Sequence, residues 1–468
     1  MASRDLDAAI AVTRFGLGAK PGELALAAGD PRGFLKAQVQ AGGADIPPNN
    51  GENTSRRIAD FRDYQRERQM ARQQGRQPQD PVQAARRMIT LDTATDFLGR
   101  FQLAAATDAG FRERWALFWA NHFTVSAVKL ATATVVGPFE AEAIRPHVFG
   151  RFSDLLIAAS THPAMLLYLD QAQSIGPDSP AAERRNRQVR VSGSEPAPRK
   201  AGLNENLARE ILELHTVGVD GGYTQADVTE FARAMTGLGI GAQRDGESAL
   251  GRPIFRQAAH EPGDRTIMGV RYPDRGQEQV EAILKDLAAK PQTARHLCTK
   301  LARHFVADDP PPALVARLET AWMRGGGRLD QVALALIDSP EAWAPEQRKF
   351  KTPYEFVASS WRAAGRTPTD VRLVAPVLNA MGQKAYSPPS PKGWPDEAAA
   401  WTAPSAVIQR LSWSQTFAAA SAADDPNLAA AQALGALLRP ATATAVRRAE
   451  SRPEGLALLL MSPEFQRR

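Results

Sequence analysis

Apolar residues recur along the chain mainly at spacings of three and four, with Ala, Leu, Arg, Glu and Gln between them, which is the period and composition of α-helix. The pattern predicts helices over 5–15, 31–40, 56–74, 138–149, 153–169 and 292–306, and strong amphipathic helix through 81–125. The 56–74 stretch is nearly all polar and reads as a solvated helix. After residue 277 helices return in short units set apart by prolines. One β signal interrupts this at 253–272, where Ile254 and Phe255, the turn Pro262-Gly263, and then Thr266 and Ile267 predict a single hairpin. The segment 176–202 is rich in Pro, Ser and Arg and almost empty of large apolar side chains, so a cleavable loop is expected there. The expected fold is mainly α, a multi-helix assembly with a small β-hairpin insertion. Its expected parts are an N-terminal helical region (1–175), the 176–202 loop, a central helix-turn-helix plus hairpin (203–275) and a C-terminal helical region (276–468).

With 468 residues, 43% of them hydrophobic and 23% charged, the chain has enough apolar surface for sizeable cores, which excludes a disordered or fibrous protein. Lys and Arg exceed Asp and Glu by 57 to 51, an excess of +6 spread thinly. Basic segments at 56–76 and 184–200 are expected to be solvated faces, and nucleic acid is not the expected partner. The lone Cys298 excludes an intramolecular disulfide and any multi-cysteine metal site, and leaves both cytoplasm and periplasm open. The first 20 residues show no secretion signal, which makes the cytoplasm the expected compartment, and no apolar run is long enough to span a bilayer.

Two segments carry candidate chemistry. In 111–123, Phe111, Trp115, Phe118 and His122 fall on one helix face, so His122 ends a buried aromatic stripe, either as a packed core residue or as a proton carrier. In 204–217, Leu207, Ile211 and Leu214 form the apolar row, Gly218 stops the helix, and Asn206, Glu210 and Glu213 form a polar row beside Glu205 and Arg209. Glu210 and Glu213, one turn apart, are expected in a half-buried cluster compensated by an arginine together with His122 or His215. After this helix, Asp220, Tyr223, Thr224 and Asp227 resemble half a calcium loop, but the leading carboxylates are absent and Thr224 with Asp227 reads as a capping box. His260 with Glu261 and Asp264 places an imidazole and two carboxylates on the expected hairpin. His296 and His304, with Lys300 between them, read as a packed or solvated basic face.

Taken together, several segments resemble the bacterial domain of unknown function 1800 family. They are Arg14-Phe15-Gly16-Leu17-Gly18, Trp119-Ala120-Asn121-His122-Phe123, the run from Met165 to Asp170, the run from Asn204 through Arg209 and Glu210 to His215, Tyr223 through Asp227, His260 to Gly263, and the run from Pro388 to Gly393, Trp394 and Pro395. The resemblance covers nearly the whole chain. It implies no agreed activity, and it implies a possible protein partner from a neighbouring sulfatase-like family.

The leading functional expectation is a structural or partner-binding role. The alternative is a hydrolase-like enzyme, acid/base or metal-assisted, with His122, Glu210, Glu213 and His215 as catalytic candidates and Asp170, Asn206, Arg209, Tyr223, Asp227 and His260 as binding candidates. Cofactor and metal content are left open.

Overall fold

The computed structural model describes residues 2–49, 51–74, 80–192, 202–421 and 425–468. The fold is mainly α, with four short strands in two antiparallel pairs as the β insertion. No helix among the described residues is long and apolar enough to cross a membrane.

The helices follow the apolar period, and turn chemistry decides where they break. The amphipathic run expected over 81–125 divides into Asp80–Ala106 and Gly110–His122, because Thr107 Oγ1 accepts from the Ala109 backbone N–H and turns the chain between them. The run over 153–169 divides at His162-Pro163, where the residue before proline is extended and the imidazole caps the next helix through Ala164 N–H. Thr54–Gln73 is a long helix whose first half is held by buried Thr54, Arg57, Ile58 and Tyr64 and whose second half is solvated.

Two expectations change. The 176–202 segment contains a helix, Pro180–Ser192, started by Ser179 and Pro180, and its Ala, Glu, Gln and Arg residues favour helix without needing a core. Residues 193–201 of that segment lie outside the described residues. The hairpin also pairs differently. Strand β1 (Leu238–Ile240) pairs with β2 (Pro253–Phe255), while β3 (Arg265–Ile267) pairs with β4 (Val270–Tyr272). Met268 and Gly269, with φ of 48° and 80°, close the second pair as a two-residue turn. Pro262-Gly263 therefore connects the two sheets and closes neither.

The helix expected over 204–217 begins as Asn206–Glu210 and widens into a π-helical turn, Ile211–His215, before Gly218 ends it at φ 84°. The wider turn rotates the row beyond Ile211. Leu212 and His215 become buried, and Leu214 is only half-buried. Thr224 and Asp227 form the expected capping box, and Val228, Phe231 and Met235 face the core.

One continuous apolar core reaches from Ile10 to Phe465. At its centre Trp115 packs within 6.0 Å of Phe149 and 5.9 Å of Phe305, and its indole donates to Val148 O at 2.7 Å. Both ends of the chain enter this body. Arg14 donates to the Ala342 and Glu346 carbonyls, and Arg468 pairs through its backbone with Lys349.

Candidate functional site

The expected site residues separate into two places. His122 and His215 meet in the core, with ring centroids 5.7 Å apart. Lys300 Nζ lies 3.0 Å from His122 Nδ1, so the ammonium donates to the imidazole, and His122 Nε2 faces His215 O at 3.3 Å. His296 reaches Leu214 O at 3.2 Å. Burial lowers the pKa of all three imidazoles, helped by the Lys300 charge: His122 well below its ordinary value, His215 to about 3 and His296 to about 4. Burial also brings Lys300 down to about 8, although Asp396 pulls it the other way. This is a neutral, aromatic-packed group of imidazoles beside one half-buried amine.

Glu210 and Glu213 stand apart from it. Glu210 is half-buried, and burial followed by the charge of Glu213 raises its carboxyl, with Arg209 opposing. Glu213 accepts from Tyr223 Oη at 3.5 Å. Arg209 pairs with Glu205 at 3.1 Å and Gln225 at 2.8 Å, bracing the Asn206–Glu210 helix against Gln225–Met235. Among the described residues, no hydrogen bond or ion pair joins either glutamate to His122 or His215. Asp170, at φ 59°, pairs with Lys129 at 2.8 Å, and Asn206 is exposed. Asp227 accepts from Met268 N–H at 2.6 Å, and His260 is buried, facing Thr236 O at 2.9 Å through Nδ1. Asp227 and His260 thus tie the sheet region to the Gln225–Met235 helix and its end. No group of three or more His, Cys, Asp or Glu among the described residues could hold a metal ion.

A different set of residues lines a cavity of about 80 Å³. Arg114, Leu117 and Asn121 face it from the Gly110–His122 helix, on the flank of the aromatic stripe. The other walls come from Arg100, from His304 at the end of the Pro291–Phe305 helix, from Tyr354 and Glu355, and from the loops carrying Tyr386 and Trp394–Asp396. A second hollow continues past Arg100, Asn121, Tyr386 and Trp394 to Thr124 and Glu140.

His304 Nδ1 lies 2.7 Å from Asp396 Oδ1. His304 Nε2 is buried and has no hydrogen-bond partner in the protein. Burial lowers this imidazole against the pull of Asp396, with Arg114 and Arg468 adding to the depression. A carboxylate on one ring nitrogen fixes the proton there and leaves a lone pair on the other. Burial alone would raise Asp396, but His304, Lys349 and Arg468 draw it down to about 2. Asp396 is itself held by Lys349, which donates to the Asp396 carbonyl at 2.5 Å and also pairs with Asp308.

Beneath the dyad, Glu355 takes both Arg114 and Arg468 while completing the N-terminal cap of its own helix with Thr352. Burial would raise Glu355, and the two guanidinium groups hold it far below the usual carboxylate range. Burial lowers Arg114 to about 9, with Arg468 adding to the effect. Tyr386 sits at φ 47°, a conformation a bulky side chain adopts only under constraint, and Ala127 N–H holds its carbonyl at 2.7 Å.

Sequence reading missed this dyad because Asp396 lies in a loop 92 residues beyond His304. A signal was present nonetheless. Arg114, Leu117 and Asn121 recur at helical spacing beside the aromatic stripe, and the Pro388 to Pro395 segment that supports the resemblance ends one residue before Asp396. Neither a search of curated proteins nor one of solved structures returned a match. A family model described as a protein of unknown function (DUF1800) matches residues 10–467, so the chain belongs to that family.

Proposed function

We propose that this chain is an acid–base enzyme in which His304 is the general base and Asp396 its orienting partner. The observation that carries the reading is the buried, unpartnered Nε2 of an imidazole whose Nδ1 is held by a carboxylate, on a residue that lines a cavity. A buried ring nitrogen with no protein partner calls for a ligand atom or a water. His304 Nε2 accepts a proton from that water or from a ligand hydroxyl, and Asp396 stabilises the imidazolium that forms. Burial, with Arg114 and Arg468 adding to it, favours the neutral ring beforehand. In this reading His122 and His215 are core residues behind the site, Lys300 a half-buried amine between the two groups, and Glu210 and Glu213 surface-edge carboxylates.

The test is acylation by diethyl pyrocarbonate, followed residue by residue with mass spectrometry at pH 7. His304 is expected to react ahead of the core imidazoles of His122, His215 and His260, and Asp396→Asn to slow it about tenfold. An unreactive His304 beside reactive core histidines contradicts the assignment.

A partner-binding reading is favoured by a separate observation. Met88 and Leu91, one turn apart on Asp80–Ala106, are 61% and 66% exposed and line an open hollow. Mixing with a sulfatase-type hydrolase and measuring mass by light scattering tests it: a complex that Leu91→Glu abolishes supports this reading, and none in the wild type opposes it.

A further inference from the structure

The cavity contains an arginine whose partners are all on one side. Arg145 is fully buried and takes Glu113 through both terminal nitrogens at 2.7 and 2.8 Å, and Glu140 at 2.7 Å. Glu140 in turn meets Arg100, with Nε at 3.1 Å. Charges therefore alternate from Glu113 to Arg145, Glu140 and Arg100, and the series ends at the cavity wall. Among the described residues, the two terminal nitrogens of Arg100 make no hydrogen bond. The guanidinium is nevertheless fixed in place, with its carbon 5.2 Å from the centre of the Tyr354 ring and 5.4 Å from that of Tyr386.

A pinned guanidinium with two free parallel donors matches a planar carboxylate. We propose that Arg100 is the recognition residue of the cavity and that the ligand is a small monocarboxylate, bound at Arg100 with its other end toward His304. This rests on the acid–base reading of the His304–Asp396 pair and names the class of molecule it acts on. The next charge in an alternating series is negative, which a carboxylate supplies. A phosphate dianion fits less well, because Glu140 lies 3.1 Å from the Arg100 Nε, and a second negative charge would face that carboxylate. Lys384 stands exposed at the mouth of the same cavity and favours entry of anions. The strained Tyr386 backbone is accounted for as well, since it is what places that ring under the guanidinium.

The test uses the full chain and ligand-observed NMR with acetate, glycolate and butyrate as probes, and acetamide and inorganic phosphate as controls. Wild-type protein is expected to bind at least one of the carboxylates, to bind acetamide at least tenfold more weakly, and to prefer the carboxylate to phosphate. Arg100→Gln should weaken carboxylate binding at least tenfold. Arg100→Lys, which keeps the charge and loses the fork, should fall between the two and guards against a folding defect in the first variant. His304→Gln should retain binding. Failure of all three carboxylates to bind, equal binding by Arg100→Gln, or preference for phosphate overturns the proposal. Carboxylate binding that depends on Arg100 while His304 fails the acylation test removes the base assignment and leaves the ligand class standing.

Discussion

Asn121 and Trp394 exchange hydrogen bonds across 273 residues of sequence: the Trp394 N–H donates to Asn121 Oδ1 at 2.8 Å, and Asn121 Nδ2 donates to Trp394 O at 2.9 Å. This amide pair fixes the loop that carries Asp396 against the helix that carries Arg114. Gly393 beside it has φ 83°, and a Cβ there would lie 2.5 Å from Asn121 O. The placing of Asp396 therefore rests on a contact that neither member of the dyad makes.

Asn121→Asp keeps one of these bonds and sets a carboxylate oxygen against the Trp394 carbonyl. The expected loss is about 1–3 kcal/mol, with faster amide hydrogen exchange confined to 393–398. Unchanged exchange in that loop would separate the pair from the placing of Asp396.

Trp115 is completely buried and packed by aromatic rings on several sides. Trp115→Ala should cost about 3–5 kcal/mol in urea unfolding. A loss under about 1 kcal/mol would mean the site collapses around the cavity far better than its packing suggests.

The three depressed imidazoles give a sign for the acid limb of stability. Burial lowers His215 to about 3, His296 to about 4 and His122 well below the ordinary value, so between the unfolded and folded values the unfolded chain binds more protons. Their contribution is full above about pH 6.5 and is lost as pH falls, by up to about 1.4 kcal/mol per pH unit for each group. His215 has no partner on either ring nitrogen, so His215→Leu removes a titrating group without orphaning another. The variant should lose less stability than wild type between pH 6.5 and 4.5, measured by thermal unfolding. Parallel curves would show that His215 does not titrate on unfolding.

Glu210 carries the opposite sign. Burial and then Glu213 raise its carboxyl, so the folded state holds the proton more tightly and stability declines as pH rises through the folded value. Glu210→Gln should therefore be neutral or slightly stabilising at pH 7.5, within about 1 kcal/mol because solvent screens a half-buried group, and should matter less at pH 4. A clear loss at pH 7.5 would point to a cation or ligand held by the ionised carboxylate.

The helical character, the buried aromatic stripe from Phe111 to His122 and the Thr224–Asp227 capping box were legible because each depends on residues within a turn or two of one another. The strand pairing was not, because β1 is a three-residue run reading Leu-Gly-Ile that pairs with residues 13 to 17 positions away, and periodicity carries no such information. The π-helical turn at Ile211–His215 shifted the buried row off the expected Leu214 and onto Leu212, a change no helical-period template encodes. For the site, local spacing singled out His122 and the glutamates of one helix. The cavity is assembled from Arg100, Asn121, His304, Tyr354 and Asp396, which lie on separate elements and meet only through the tertiary fold.

The proton on His304 decides whether the ring can act as a base, and histidine-labelled nitrogen NMR reads its position. At pH 7 the ring should be neutral, protonated on Nδ1 and bare on Nε2, with Asp396→Asn altering the Nδ1 signal while those of His122 and His215 stay in place. A His304 ring that is protonated on Nε2, or fully charged at pH 7, would contradict the account.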